Sequence, residues 1–178
     1  HTLTSSAGLR YKLIVSLPHN YDPASRYPLI LALDAEPYLF PLLTVVARTN
    51  KFFARSYYYS DTIVVGIVAD LESEDRFWSG SRLNVRHLWN ELRPTRARDY
   101  LPTAAESPWG APGAASLLDV SGHADEFVAF LADECLPFLE RTYSTHGAKA
   151  RALIGKSFGG SGVAHAMIRV AEEKQQQH

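Results

Sequence analysis

Residues 152–171 restrict the fold more than any other stretch. Ala152-Leu153-Ile154 is a short apolar run, Gly155-Lys156-Ser157-Phe158-Gly159-Gly160 follows at once, and Val163, Ala164, Met167, Ile168 and Ala171 then recur at helical spacing. Such a segment is a strand, a turn and a helix in immediate succession. Glycine at both ends of the turn lets backbone pass where a β-carbon would collide. Ser157 is therefore expected at the apex, its hydroxyl exposed at the carboxyl end of the strand, in the manner of a G-x-S-x-G nucleophile turn. The N–H groups of the helix's first turn have no internal acceptor and face the place where an oxyanion would form, Phe158 being the first donor. The five-residue pattern alone arises by chance in roughly one chain of this size in twenty. Its flanking strand and helix weigh against the alternative, a glycine-rich turn with a structural serine.

The rest of the chain supplies a sheet for that turn. Residues 9–17 alternate polar and apolar as a half-buried strand does, and Pro18 with His19-Asn20-Tyr21-Asp22-Pro23 closes it. Residues 28–34 and 62–69 are nearly continuous apolar runs, which suit parallel strands covered on both faces. Between them residues 38–55 read as a helix despite Pro41. Residues 71–122 hold Trp78, Trp89, Trp109 and four prolines without a sustained period, and read as a long functional connection with a short helix near Leu83–Leu92. Ser121 offers an N-cap, and an amphipathic pattern runs from there to about Tyr143 with a kink expected at Pro137. The polar tail from Glu172 onward is expected to fray. This order predicts an α/β fold: one domain over residues 1–178, with a mostly parallel sheet and helices on both faces.

Composition narrows the function classes. With 46% hydrophobic and 21% charged residues and a net charge of −1, the chain has the make-up of a globular domain and no global attraction to nucleic acid or to an anionic membrane. No apolar run reaches the length of a membrane span. The single Cys135 excludes an internal disulfide and lies on an apolar helix face with Phe127, Phe130, Leu131, Phe138 and Leu139, so it reads as a buried structural thiol. There is no H-E-x-x-H motif or cysteine pair for a metal, and the glycines around Ser157 fit neither G-x-G-x-x-G nor G-x-x-x-x-G-K-[ST]. Nothing fixes a compartment.

The chain resembles the esterase D and enterochelin-esterase-like branch of the α/β-hydrolases. The resemblance is carried by Leu17-Pro18 with Tyr21-Asp22, Tyr27-Pro28-Leu29-Ile30 leading to Leu33-Asp34, Arg98-Asp99-Tyr100 with Pro102-Thr103, Phe127 with Phe130-Leu131, Pro137-Phe138 with Tyr143, and Gly155 to Gly160. It spans about residues 9–168. It implies hydrolysis of carboxylic esters through an acyl-enzyme, without metal or organic cofactor. Ser157 would be the nucleophile, and the backbone N–H groups of Phe158 and Ala35 the oxyanion hole. Lys156 stands where the family often has histidine, and Ala35 where it often has glycine. Asp34, at the end of an apolar strand, and Arg98 are the candidates for lining the substrate cleft, and Asp70 ends an apolar strand in the same way, although a turn or helix-cap role is the commoner one for such an aspartate.

The resemblance also implies a triad acid and histidine on later strands, which two or three further βα units of roughly 30 residues each would supply. The sequence is therefore expected to be incomplete on its C-terminal side: a fragment, a truncated product, or a subunit whose open sheet edge and apolar helix face are covered by a partner. Among the seven histidines, His165 lies two turns beyond Ser157, about 12 Å along a helix. His146 precedes the strand at its far end, and His1, His19, His87, His123 and His178 have no catalytic spacing. Six arginines between Arg76 and Arg98 could bind an anionic substrate, but Glu72, Glu74, Asp75, Glu91 and Asp99 among them favour a solvated ion-pair network. Two functions compete: a serine esterase acting on a small ester, and a non-catalytic subunit with the same fold.

Overall fold

In a computed structural model, the structure describes residues 1–33, 40–53, 61–71, 78–79, 82–83, 85–105 and 116–176, with side chains for all of these except 48–53, 78–79, 82–83 and 85–90. Strands β1 (Thr2–Thr4), β2 (Arg10–Ser16), β3 (Leu29–Leu33), β4 (Ile63–Ala69) and β7 (Arg151–Ile154) form one sheet in the order β1-β2-β4-β3-β7. A separate two-residue pair joins β5 (Trp78–Ser79) to β6 (Arg82–Leu83). The pairings β3–β4 and β3–β7 are parallel, whereas β1–β2 and β2–β4 are antiparallel. The expected parallel sheet is thus its β4-β3-β7 half, and β1 is a strand that the sequence pattern did not show.

Register puts the odd-numbered side chains of the central strands on one face. Leu29 pairs with Ile63, Leu31 with Val65 and Leu33 with Ile67, while Leu13 lies opposite Ile67. These residues are buried with Tyr11, Tyr100, Phe127, Phe130, Leu131, Cys135 and Leu139 in the main core. The other face is smaller: Val68 and Leu92 pack with Ile14, Leu71 and Phe40, the first residue of α1 (Phe40–Phe53). Helices therefore cover both faces, because β3 and β4 are apolar at every position and have no side to turn toward water. Pro41 sits in the first turn of α1, where its missing N–H has no acceptor to lose.

Three expectations are corrected, the last of them the fraying of the tail from Glu172. The connection after β4 contains α2 (Val85–Tyr100), a helix of 16 residues that continues past Pro94. Ser121 is not an N-cap: the helix starts at α3 (Ala124–Ala129) after His123, and the buried Ser121 hydroxyl donates to the Leu117 carbonyl at 2.6 Å and accepts from the Ala105 N–H at 2.9 Å. The expected kink at Pro137 takes the form of a π turn over Phe130–Cys135, after which α4 (Leu136–Thr142) begins. The Leu136 N–H bonds the Leu131 carbonyl five residues back. This wider turn accommodates a residue that can neither donate to the carbonyl four back nor pass it sterically. Cys135 is fully buried, and burial pushes its thiol up to about 12. The last helix, α5 (Phe158–Gln176), carries the polar tail in helical form to Gln176.

Candidate active site

The turn around Ser157 is set by backbone proximity. Ser157 has a φ of 57° and is the one non-glycine residue with left-handed backbone among the described residues. A β-carbon on Gly155 would lie 2.2 Å from the Gly159 carbonyl oxygen and 2.9 Å from the Gly160 nitrogen, so α5 crosses the end of β7 at a separation that only glycine allows. The Gly159 N–H donates to the Lys156 carbonyl at 3.0 Å, and the Ser161 N–H to the Ser157 carbonyl at 3.2 Å. Gly159 is buried, while Lys156 and Ser157 are exposed. The three parallel strands all end on this side of the sheet, as expected of a reactive position in an α/β fold.

A left-handed serine costs about 1–2 kcal/mol. Glycine escapes that cost, so Ser157→Gly should be more stable than Ser157→Ala by about 1 kcal/mol in urea denaturation, the reverse of the usual order. Alanine proving the more stable would show that the strained backbone is not held in solution.

Helix α2 walls one side of the turn. The Arg96 guanidinium carbon lies 5.4 Å from the centre of the Phe158 ring, and a β-carbon on Gly162 would meet the Tyr100 side chain at 3.2 Å. Four residues on α2 thus match four on α5, and the two helices run in the same direction.

The remaining sequence candidates are distributed as follows. Asp34 and Ala35 lie outside the described residues. Arg98 faces away from Phe158, toward α3: its guanidinium pairs with Asp99 at 2.7 Å and with Glu126, and its carbonyl accepts the His123 N–H. Asp70, at the end of β4, is taken up by Arg10 at 2.7 Å and Lys12 at 3.3 Å. Asp99 is buried, and that burial pushes its carboxyl up to about 6 against the opposing pull of Arg98 and of the Tyr11 hydroxyl, which donates to it. Burial, together with the same contact with Asp99, pushes the Tyr11 phenol well above its ordinary range. Among the six arginines singled out in the sequence, Arg96 lies against Phe158.

The described histidines have other partners or places. His165 bonds Asp125 at 2.9 Å, His123 bonds Glu126 at 3.0 Å, and His1 bonds the Tyr143 hydroxyl at 2.7 Å beyond the β1 edge. The hydrogen bond from His123, with Arg98 beside it, holds the Glu126 carboxyl below its usual range. His19 follows β2, whose last residue Ser16 lies opposite Val64, at the amino ends of the parallel strands. His146 is at that end too, its N–H bonded to the Tyr27 carbonyl. The His87 and His178 side chains lie outside the described residues. No group of three or more metal-ligating side chains occurs among the described residues, and no described helix is long and apolar enough to cross a membrane.

Beyond β7 the sheet is open: β7 pairs with β3 alone among the described residues. Next to that edge Leu153, Val163, Ala166, Met167, Val170 and Ala171 line an apolar groove of about 490 Å³, with Met167, Ile168 and Val170 exposed.

Comparison with known proteins places this geometry. Residues 101–173 match the family described as "Putative esterase". Among solved structures, siderophore hydrolase EstB from Aspergillus nidulans superposes with a TM-score of 0.66 at 24% identity, over 94% of this chain and 50% of that one. The BES protein from Bacillus cereus gives 0.64 at 22% identity, over 91% and 54%. An IroE-like serine hydrolase from Shewanella oneidensis gives 0.62 at 24% identity, over 93% and 44%. The chain spans about half the length of these proteins. A comparison with curated proteins finds no match.

Proposed function

We propose that the chain, whose fold is similar to that of the solved hydrolases and whose residues 101–173 match the family described as "Putative esterase", is the nucleophile-bearing part of a serine hydrolase acting on carboxylic esters. The observation that carries this reading is the exposed Ser157 at φ 57° between β7 and α5. A serine strained into the left-handed region over a glycine crossing has no packing reason to be a serine, whereas acyl transfer requires it there. Its Oγ would attack the ester carbonyl while a base takes the proton. The Phe158 N–H, with that of Ala35, would hold the oxyanion. Departure of the alcohol leaves an acyl-serine that water then hydrolyses. The base and its carboxylate would come from a further strand, of the same protein or of a partner, set against the open edge of β7.

A second reading is a non-catalytic subunit with this fold. It is motivated by the described histidines, whose partners or positions keep them from Ser157. The two separate on labelling of the longer native protein with a fluorophosphonate. Modification at Ser157 that disappears in Ser157→Ala is the expected result. A well-folded full-length protein that never reacts would favour the subunit.

A further inference from the structure

A run of polar contacts ties three elements together at one buried carboxylate. Tyr11 of β2 donates its hydroxyl to Asp99 of α2, and the Arg98 guanidinium bonds Asp99 at 2.7 Å and reaches on to Glu126 of α3, which also takes up His123 at 3.0 Å. Asp99 is only 5% exposed, so its charged form has little contact with solvent. Arg98 is shared between two carboxylates, and the cavity beside Asp99, about 10 Å³ between Val68, Leu92, Thr95 and Arg96, is at the lower limit of what a single water occupies. An ionised Asp99 is therefore neither fully neutralised nor hydrated where it stands. The other groups facing it are Arg96, which lines the cavity from α2, and Val68 and Ala69 of β4, beyond which Asp70 is paired with Arg10 and Lys12. Burial outweighs these partners, since the Asp99 carboxyl titrates at about 6, while the Tyr11 phenol keeps its proton. The residues on either side of Asp99 seat α2 on α5: Tyr100 packs on Gly162, and Arg96 lies 5.4 Å over the Phe158 ring.

We propose that Asp99 is a proton-operated latch: protonated, it holds α2 against β2 and the first turns of α5, and ionised, it favours the lifting of α2 from both, which loosens the turn at Ser157. The step is the release of one proton to solvent as the carboxylate gains water. The latch stands whether or not Ser157 is a nucleophile; that it tunes acyl transfer rests on the reading above. Its direction follows from linkage. With α2 seated the carboxyl titrates at about 6, and with α2 lifted it returns toward its ordinary 3.8, so rising pH favours the lifted form through that window and adds nothing further above it. The coupling to the turn is direct, because Tyr100 follows Asp99 in sequence and a β-carbon on Gly162 would meet its side chain at 3.2 Å.

The test is native-state amide exchange of the 178-residue chain at pH 4, 5.5 and 7, corrected for the intrinsic pH dependence of exchange. The amides of Ala97 and Tyr100 in α2 and of Gly162 and Val163 in α5 are expected to exchange faster than those of Val65 and Ile67 in β4, which report global unfolding. Their opening should become about a hundredfold more frequent from pH 4 to pH 7, the ratio set by the two titration points. In Asp99→Asn the opening should stay flat with pH. Tyr11→Phe, which removes a donor to the ionised carboxylate, should carry the rise to higher pH. Histidines ordinarily change charge in the same range, so His123→Gln and His165→Gln are measured alongside and should keep the rise. Melting curves show which variants are folded, and where Asp99→Asn is not, Tyr11→Phe decides. A rise that survives Asp99→Asn, a rise unmoved by Tyr11→Phe, one lost in either histidine variant, α2 amides that exchange at the β4 rate, or α5 amides that do not follow α2 would overturn the latch. The expected exchange in a protein whose Ser157 never labels would keep the latch and remove its bearing on ester hydrolysis; labelling without the rise would do the opposite.

Discussion

Gly155→Ala should lose about 3 kcal/mol of stability or more and abolish fluorophosphonate reaction at Ser157. The added carbon would lie 2.2 Å from the Gly159 carbonyl oxygen and 2.3 Å from its carbon, and both neighbours are backbone. A flexible side chain could swing aside, but here either the end of β7 or the first turn of α5 must move. Overpacking against side chains costs about 1–3 kcal/mol, and a clash with main chain on both sides falls at or above the top of that range. Because Phe158 leads directly into α5, the movement also displaces the expected oxyanion donor. Urea denaturation measures the first effect and labelling the second. A variant with unaltered stability would mean that the turn is looser in solution than the 2.2 Å approach implies.

Asp99→Asn should gain stability relative to the unaltered protein as pH rises from 4 to 7. The buried carboxyl titrates at about 6 in the fold, against an ordinary value of 3.8. Its folded pKa is raised, so between these values the folded chain keeps a proton that the unfolded chain has already released. Stability therefore falls through that window, by about 3 kcal/mol in total. Asparagine, which does not titrate, is spared this loss. At pH 4 the two proteins should be close, since a neutral acid and an amide present similar groups to Tyr11. At pH 7 the variant should be the more stable by up to about 3 kcal/mol. Denaturation of both proteins at pH 4, 5.5 and 7 gives the difference directly, and a difference that stays flat across the window would show that Asp99 is not buried as described.

The parts of the fold that were legible in the sequence are those where one physical demand dominates. Strands β3 and β4 were visible because both faces are covered, which leaves an unbroken apolar run. The Ser157 turn was visible because only glycine tolerates its approaches. Helix α2 was not. Its buried positions include Leu92 and Ala97 but also the charged Asp99, and Pro94 sits in its interior, so neither an apolar ladder nor an uninterrupted run marked it. What holds α2 is tertiary: Tyr100 against Gly162, Arg96 on Phe158, and the pairing of Arg98 with Glu126. The site followed the same division. The turn with Ser157 at its apex could be read from local spacing, whereas the place of Arg96 depends on two helices brought together by the sheet. Ser121 misled because a hydroxyl ahead of acidic residues is the usual sign of a cap, and here a loop carbonyl took it first.

The pairing of β7 with β3 bears on how the molecule assembles. Leu29 is opposite Arg151, so this contact closes a loop of more than a hundred residues, whereas β1 and β2 meet across a short turn. Closing long loops slows folding, because their chain entropy is lost before the pairing returns anything. β7 is also held from one side alone among the described residues. The strand that leads into the Ser157 turn is thus expected to join late, onto a sheet whose other strands are in place. Until it does, Ser157 has no fixed backbone conformation, so the left-handed turn at its apex forms only when the fold is almost finished.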